Sequence, residues 1–184
     1  TGTQIPAITT LGLRSLATSQ FAAFQPADVS AFTASQVQAF ATNQLQAMSS
    51  AQVGAFVPTQ VAALSTTQLR AIDATDYSAL STTAVASLSG TQVAGLATAQ
   101  LAALASNQVA ALSTAAVRAI TTGQINALAT ADVAAMSSAQ IGALSTAQVA
   151  ALSTANVRAI DSADIAALGT AGVAAMSGQQ LQAL

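Results

Sequence analysis

Ser145-Thr146-Ala147-Gln148-Val149-Ala150-Ala151-Leu152 is one octad of a chain built only of such octads. Counted outward from it, the register runs without insertion or deletion through all 184 residues, which makes 23 octads. Every residue whose number is a multiple of eight is large and apolar, from Ile8, Leu16, Phe24 and Phe32 to Met176 and Leu184. So is every residue three places earlier, from Ile5, Leu13 and Phe21 to Val173 and Leu181. A strict short period over a whole chain means stacked copies of one small unit, none able to bury its apolar face alone.

With positions numbered from the residue after each multiple of eight, the two anchors fall at five and eight. Position seven is Ala in twenty octads, Ser in two (Ser15, Ser87) and Gly in one (Gly95), which points to close packing there. Position one is Ser, Thr or Asp in fifteen octads, residues whose side-chain oxygen accepts from the free N–H groups that open a helix. Position four is Gln in fourteen octads and Asp at Asp28, Asp76, Asp132 and Asp164. Ser/Thr at one with Gln at four is a capping box, as in Ser145 with Gln148. Position two is then the first helical residue, where proline costs nothing, and Pro26 and Pro58 both sit there. Pro6, at position six, breaks the rule near the chain start.

Each octad therefore reads as one short helix of about six residues, and the chain as an all-α solenoid stacked into a rod or superhelix. A single long helix fails, because eight residues advance about 800°, about 80° beyond two turns, and the apolar stripe would spiral round it. Strands put positions five and eight on opposite faces, yet Val, Ile and Thr keep a β-solenoid as the alternative. On a helical wheel, positions three, seven, four, eight and five share one broad arc, with two and six opposite. The expected core includes Leu96, Leu104, Val109, Leu112, Val117, Ile120, Leu128, Val133, Leu144, Val149 and Leu152. The expected caps include Ser113, Ser145 with Gln148, Ser153, Asp73 and Asp161. All four basic residues (Arg14, Arg70, Arg118, Arg158) are at position six and all six acids at one or four, the ends that the helix dipole favours for each sign. Helices this short are unstable alone, so stacking must stabilise them.

Hydrophobic residues make up 53% of the chain and charged ones 5%, with no Cys, His, Trp, Lys or Glu. No disulfide is possible, and neither is a His or Cys metal site. Four scattered Arg and a net charge of −2 argue against nucleic acid as a partner. Tyr77 to Val117 carries no charge over 41 residues. Every octad nevertheless interrupts the apolar run with polar residues, so no membrane insertion is expected. The start, Thr1-Gly2-Thr3-Gln4, lacks the basic and apolar regions of a secretion signal. Residues 1–184 read as a single repeat array, cut at octad boundaries from a longer one.

Chemistry is sparse. Without His, Lys, Cys or Glu nothing activates the many hydroxyls, so no catalytic residue, no cofactor and no enzymatic activity are expected. Asp73 with Asp76, and Asp161 with Asp164, are the weak candidates for a metal, since carboxylates three apart can hold Ca²⁺. The competing reading is a cap plus a first-turn dipole partner beside a surface Arg (Arg70, Arg158). Phe21, Phe24, Phe32, Phe40 and Phe56 occupy anchor positions and read as core. Thr recurs at position two (Thr98, Thr114, Thr122, Thr130, Thr146, Thr154), an outward face of the kind that orders water on ice.

Leu144 to Leu152, and more closely Val57-Pro58-Thr59-Gln60-Val61, resembles the opening helix of the repeats of transcription-activator-like effectors. The likeness covers one helix and no base-reading loop. The whole chain is similar to the Ala/Ser/Thr/Gln-rich octad arrays of very large secreted or surface proteins of bacteria. That resemblance implies an extracellular or cell-surface structural role: a rod, spacer or filament-forming stalk, with self-association end to end or side by side. The alternative is a binding surface, either ice-binding through the Thr face or a groove for a protein or peptide.

Overall fold

The octad Ser145–Leu152 shows how the chain makes its unit. Ser145 is extended (φ −72°, ψ 159°) and its Oγ accepts from the Gln148 N–H at 3.2 Å, while Gln148 Oε1 accepts from the Ser145 N–H at 2.7 Å. This reciprocal box starts the helix Thr146–Ala151, which Leu152 ends by returning to extended backbone (φ −63°, ψ 140°). Extended residues on both sides of the helix redirect the chain without a left-handed turn. Gly169 is the one positive φ (63°) among the described residues. Pro26 and Pro58 each open a helix, Pro26–Ser30 and Pro58–Ala63.

The computed structural model describes residues 3–184, so the cap expected at Thr1 lies outside them. The described residues form short α-helices and three 3₁₀ segments and contain no strand, which makes the chain an all-α solenoid and removes the β alternative. Neighbours in space are not neighbours in sequence. Helix Gly90–Gly95 packs on Thr114–Ala119, Ser50–Gly54 on Ala74–Ala79, and Thr82–Ala86 on both Pro58–Ala63 and Ser106–Ala111, each pair three octads apart. The octads thus wind into a superhelix, and the anchors at five and eight merge inside it into one continuous core from Ile5 to Met176. Two apolar side chains per octad cannot offset the entropy of ordering eight residues. Contacts to the turns above and below supply the difference.

Position three is not part of the buried arc: Ala147, Thr67 and Thr91 are exposed, and the buried positions are four, five and eight, with seven half-buried. The wheel assumed a helix that continues through position eight. The helix stops at six or seven, so the apolar residue at eight turns inward from extended backbone and rotates the buried face away from three.

Four octads depart from the common form. The first forms only a 3₁₀ turn at Ile5–Ala7, with Pro6 inside it. Residues 73–80 form a 3₁₀ helix, Ala74–Ala79, and residues 161–168 split into Ser162–Ile165 and a 3₁₀ segment, Ala166–Leu168. The octad from Gly169 has neither half of the capping box, and its helix Gly169–Ala174 follows directly on helical Leu168 (φ −66°, ψ −21°).

Candidate functional site

Position four does more than cap. Gln148 is 2% exposed, and while its Oε1 holds the Ser145 N–H, its Nε2 donates to the Val117 and Ile120 carbonyls at 2.9 and 2.7 Å. Those carbonyls lie 31 and 28 residues back, at the C-terminal end of the helix four octads earlier. The same bonds recur for every Gln at position four from Gln36 to Gln180, except that Gln52 takes the Ala22 carbonyl, 30 residues back, in place of the one 31 back. The result is a ladder of buried amides tying each turn to the one before. One helix opens and another closes on the same side chain, so a group costly to bury is fully used. No buried side-chain N or O is without a partner among the described residues. Helices packing three octads apart, with amides reaching back four, place between three and four octads in a superhelical turn.

The Gln half of the box also works without a hydroxyl. Ala41, Ala97 and Ala105 have no side-chain acceptor, yet their N–H groups donate to Gln44, Gln100 and Gln108 Oε1 at 2.9, 2.9 and 2.6 Å. Asn156 is one methylene shorter and reaches a single carbonyl, Leu128, at 3.2 Å. Ala84, Ala116 and Gly172 carry no side-chain polar group at this position, and the ladder skips them.

Asp at position four changes the partner. Asp132 Oδ2 accepts from the Ala129 N–H at 3.0 Å, as Gln does, but Oδ1 accepts from Ser106 Oγ at 2.8 Å, 26 residues back. Asp76 and Asp164 accept likewise from Ser50 and Ser138. Position two carries Ser at Ser50, Ser106, Ser138 and Ser162, and the first three are the residues 26 places before an Asp. This pairing is legible in the sequence as a correlation at offset 26, invisible to a period of eight.

The small residue at seven packs on position two of the turn before. A Cβ on Gly95 would lie 2.7 Å from Thr66 Cγ2, and Ser87 Oγ donates to the Pro58 carbonyl at 3.0 Å. The Thr residues at 98, 114, 122, 130, 146 and 154 are exposed, so position two looks outward and also receives the next turn.

Leu96, Leu104, Val109, Leu112, Val117, Ile120, Leu128, Val133, Leu144, Val149 and Leu152 are all buried. The side chains of Ser113, Ser145 and Ser153 accept the N–H groups of Ala116, Gln148 and Asn156. Asp73 and Asp161 instead take the N–H two residues on, of Thr75 and Ala163, at 3.0 and 2.9 Å. The Thr75 N–H, helped by its hydroxyl, holds the Asp73 carboxyl below the usual carboxylate range. The candidate carboxylates for Ca²⁺ have different partners: Asp73 has Thr75 and Asp76 has Ser50, Asp161 has Ala163 and Asp164 has Ser138. Among the described residues no three His, Cys, Asp or Glu side chains come together as a metal site. Arg14 Nε donates to the Ala39 carbonyl at 3.3 Å, and Arg70, Arg118 and Arg158 are exposed.

Phe21, Phe24, Phe32 and Phe40 meet edge to face with centroids 4.7–5.7 Å apart, closing the first turn with a ring cluster; Phe56 is buried further on. Tyr77 is fully buried at an anchor position. Its hydroxyl donates to the Leu69 carbonyl at 2.8 Å, and burial pushes its pKa well above the ordinary value.

No helix of the described residues is long and apolar enough to cross a membrane. No curated protein matches the chain. The model of the ALTTAQ repeat family matches residues 21–58, 29–66, 93–130, 125–159 and 157–184. The name spells the octad's own logic, an apolar anchor, hydroxyl cap residues and the Gln of the ladder. With matches over well more than half of its length, the chain belongs to the ALTTAQ repeat family.

Proposed function

We propose that this array is a structural rod, a spacer or filament-forming stalk within a large bacterial surface or secreted protein, and not an enzyme. The observation that carries this is the amide ladder. It ties each turn to the turn before through the Gln that stands at position four in fourteen of the 23 octads, so length is added without a new kind of contact. The outer face fits the role. Position three is small or polar in every octad but the one that carries Leu11, position six carries the few Arg, and the acids are occupied with caps or with Ser of the neighbouring turn. Position two receives the next turn at Thr66 and Pro58, which favours a structural role for that face over ice binding. The extracellular or cell-surface location rests on the resemblance to octad arrays of secreted and surface proteins.

Small-angle scattering on the purified chain tests the shape. A cross-section independent of concentration with an elongated maximum dimension supports a rod; a compact globule overturns it. Electron microscopy over a concentration series then separates stalk from filament: short discrete rods mean a spacer, and fibres of constant width mean assembly. Thermal hysteresis in the same sample would replace the structural reading by ice binding.

A further inference from the structure

The two inner octads that contain 3₁₀ segments, 73–80 and 161–168, are not scattered accidents. Ser49-Ser50-Ala51-Gln52-Val53-Gly54-Ala55-Phe56 precedes the octad 73–80 by three octads, and Ser137-Ser138-Ala139-Gln140-Ile141-Gly142-Ala143-Leu144 precedes the octad 161–168 in the same way. The two sets lie 88 residues, eleven octads, apart. Arg70, Asp73 and Asp76 recur at the same offset as Arg158, Asp161 and Asp164, and Gly90 recurs as Gly178.

The contacts recur as well. Ser50 donates to Asp76, and Ser138 to Asp164. A Cβ on Gly54 would lie 2.9 Å from the Ala79 carbonyl oxygen, and one on Gly142 2.9 Å from that of Ala167. Position six is Gly only at these two places, so glycine stands where the tighter 3₁₀ turn brings its position-seven carbonyl onto the turn before.

We infer that the array is a tandem of eleven-octad units and that each unit carries one register lock, Ser at two and Gly at six in one octad with Asp at four and a 3₁₀ turn three octads on. The lock answers a problem that the ladder creates. A Gln at position four finds the same carbonyls in any octad, so a winding slipped by one octad keeps most of its amide bonds and core. The Ser–Asp bond and the glycine contact are made only when the offsets are 26 and 25 residues. They disfavour slipped windings as bulges and inward-pointing charges do in a sheet. The inference concerns how the solenoid finds its winding and holds whatever the array's biological role.

Two single-octad deletions of equal length test it in the full chain. Removing residues 97–104 leaves both locks intact. Removing residues 57–64 puts Asp76 opposite Thr42, whose branched hydroxyl replaces that of Ser50, and the Ala79 carbonyl opposite Gln46, whose Cβ occupies the glycine's place, so the loss falls chiefly on the glycine contact. The second variant is expected to melt roughly 5 °C below the first, and adding Thr42→Ser with Gln46→Gly, which rebuilds the lock one octad earlier, is expected to restore most of the difference. Gly54→Ala should lower the midpoint of the intact chain and leave that of the 57–64 deletion unchanged. Equal melting of the two deletions, or no recovery with the rebuilt pair, would overturn the lock.

Discussion

Gln148→Ala is the sharpest test of what holds the turns together. The substitution deletes four hydrogen bonds, from the Ser145 N–H and to the Val117 and Ile120 carbonyls, with a longer one to the Arg118 carbonyl at 3.4 Å. The Val117 carbonyl keeps the Ile120 N–H as a partner at 3.1 Å, whereas the Ser145 N–H and the Ile120 carbonyl are left to whatever water can reach them. Two polar groups losing their partners in a largely buried setting cost about 1–3 kcal/mol each, less where water enters, so a total of about 2–4 kcal/mol is expected. Stability in a solenoid is a sum of local terms, so the loss belongs to the octads around residues 113–152 and not to the whole array. Native-state hydrogen exchange reads this directly. The Ser145 amide and its neighbours should exchange roughly 30- to 700-fold faster, the factor corresponding to that energy, while amides near residue 60 are unchanged. Gln148→Asn should recover part of the protection, since Asn156 shows that the shorter arm still reaches one carbonyl. An acceleration below about threefold would mean that the ladder exchanges for water at no net cost, and that apolar packing alone holds the turns.

Ala105→Ser supplies the hydroxyl missing from a cap whose Gln108 half is already made, and should raise stability by about 0.5–1 kcal/mol in chemical denaturation. The reverse change, Ser145→Ala, should cost about 1 kcal/mol in the same assay. Gly95→Leu forces a side chain onto Thr66 where the gap to a Cβ is already 2.7 Å, and should destabilise by about 1–3 kcal/mol, whereas Leu in place of exposed Ala147 should change little. Because the pKa of Tyr77 is raised by folding, its contribution is complete below pH about 10 and is lost as the pH rises further, where only the unfolded chain ionises. Denaturation at successive alkaline pH values should therefore show a loss of up to about 1.4 kcal/mol per pH unit, and Tyr77→Phe should remove that part of the slope.

The local unit is legible in the residues of a single octad. Ser145, Gln148, Val149 and Leu152 specify a cap, a box partner and two anchors within eight residues, and interactions that short are set by chain geometry alone. A helical wheel misplaces position three for an equally local reason: it treats position eight as helical, and Leu152 is extended. What lies beyond the period of eight is the winding. Octads that are nearly interchangeable carry almost no information about which of them meet, so the partners of Gln148, 28 and 31 residues away, follow only from how helices stack around a shared core. The exceptions are the residues that break the repeat, Ser50 with Asp76 and Gly54 opposite Ala79, whose spacing records the superhelical turn. The sequence by itself determined the eight-residue helical unit and its two buried anchors. Only the tertiary structure decided how many octads close a turn, because that depends on packing between segments whose local codes are the same.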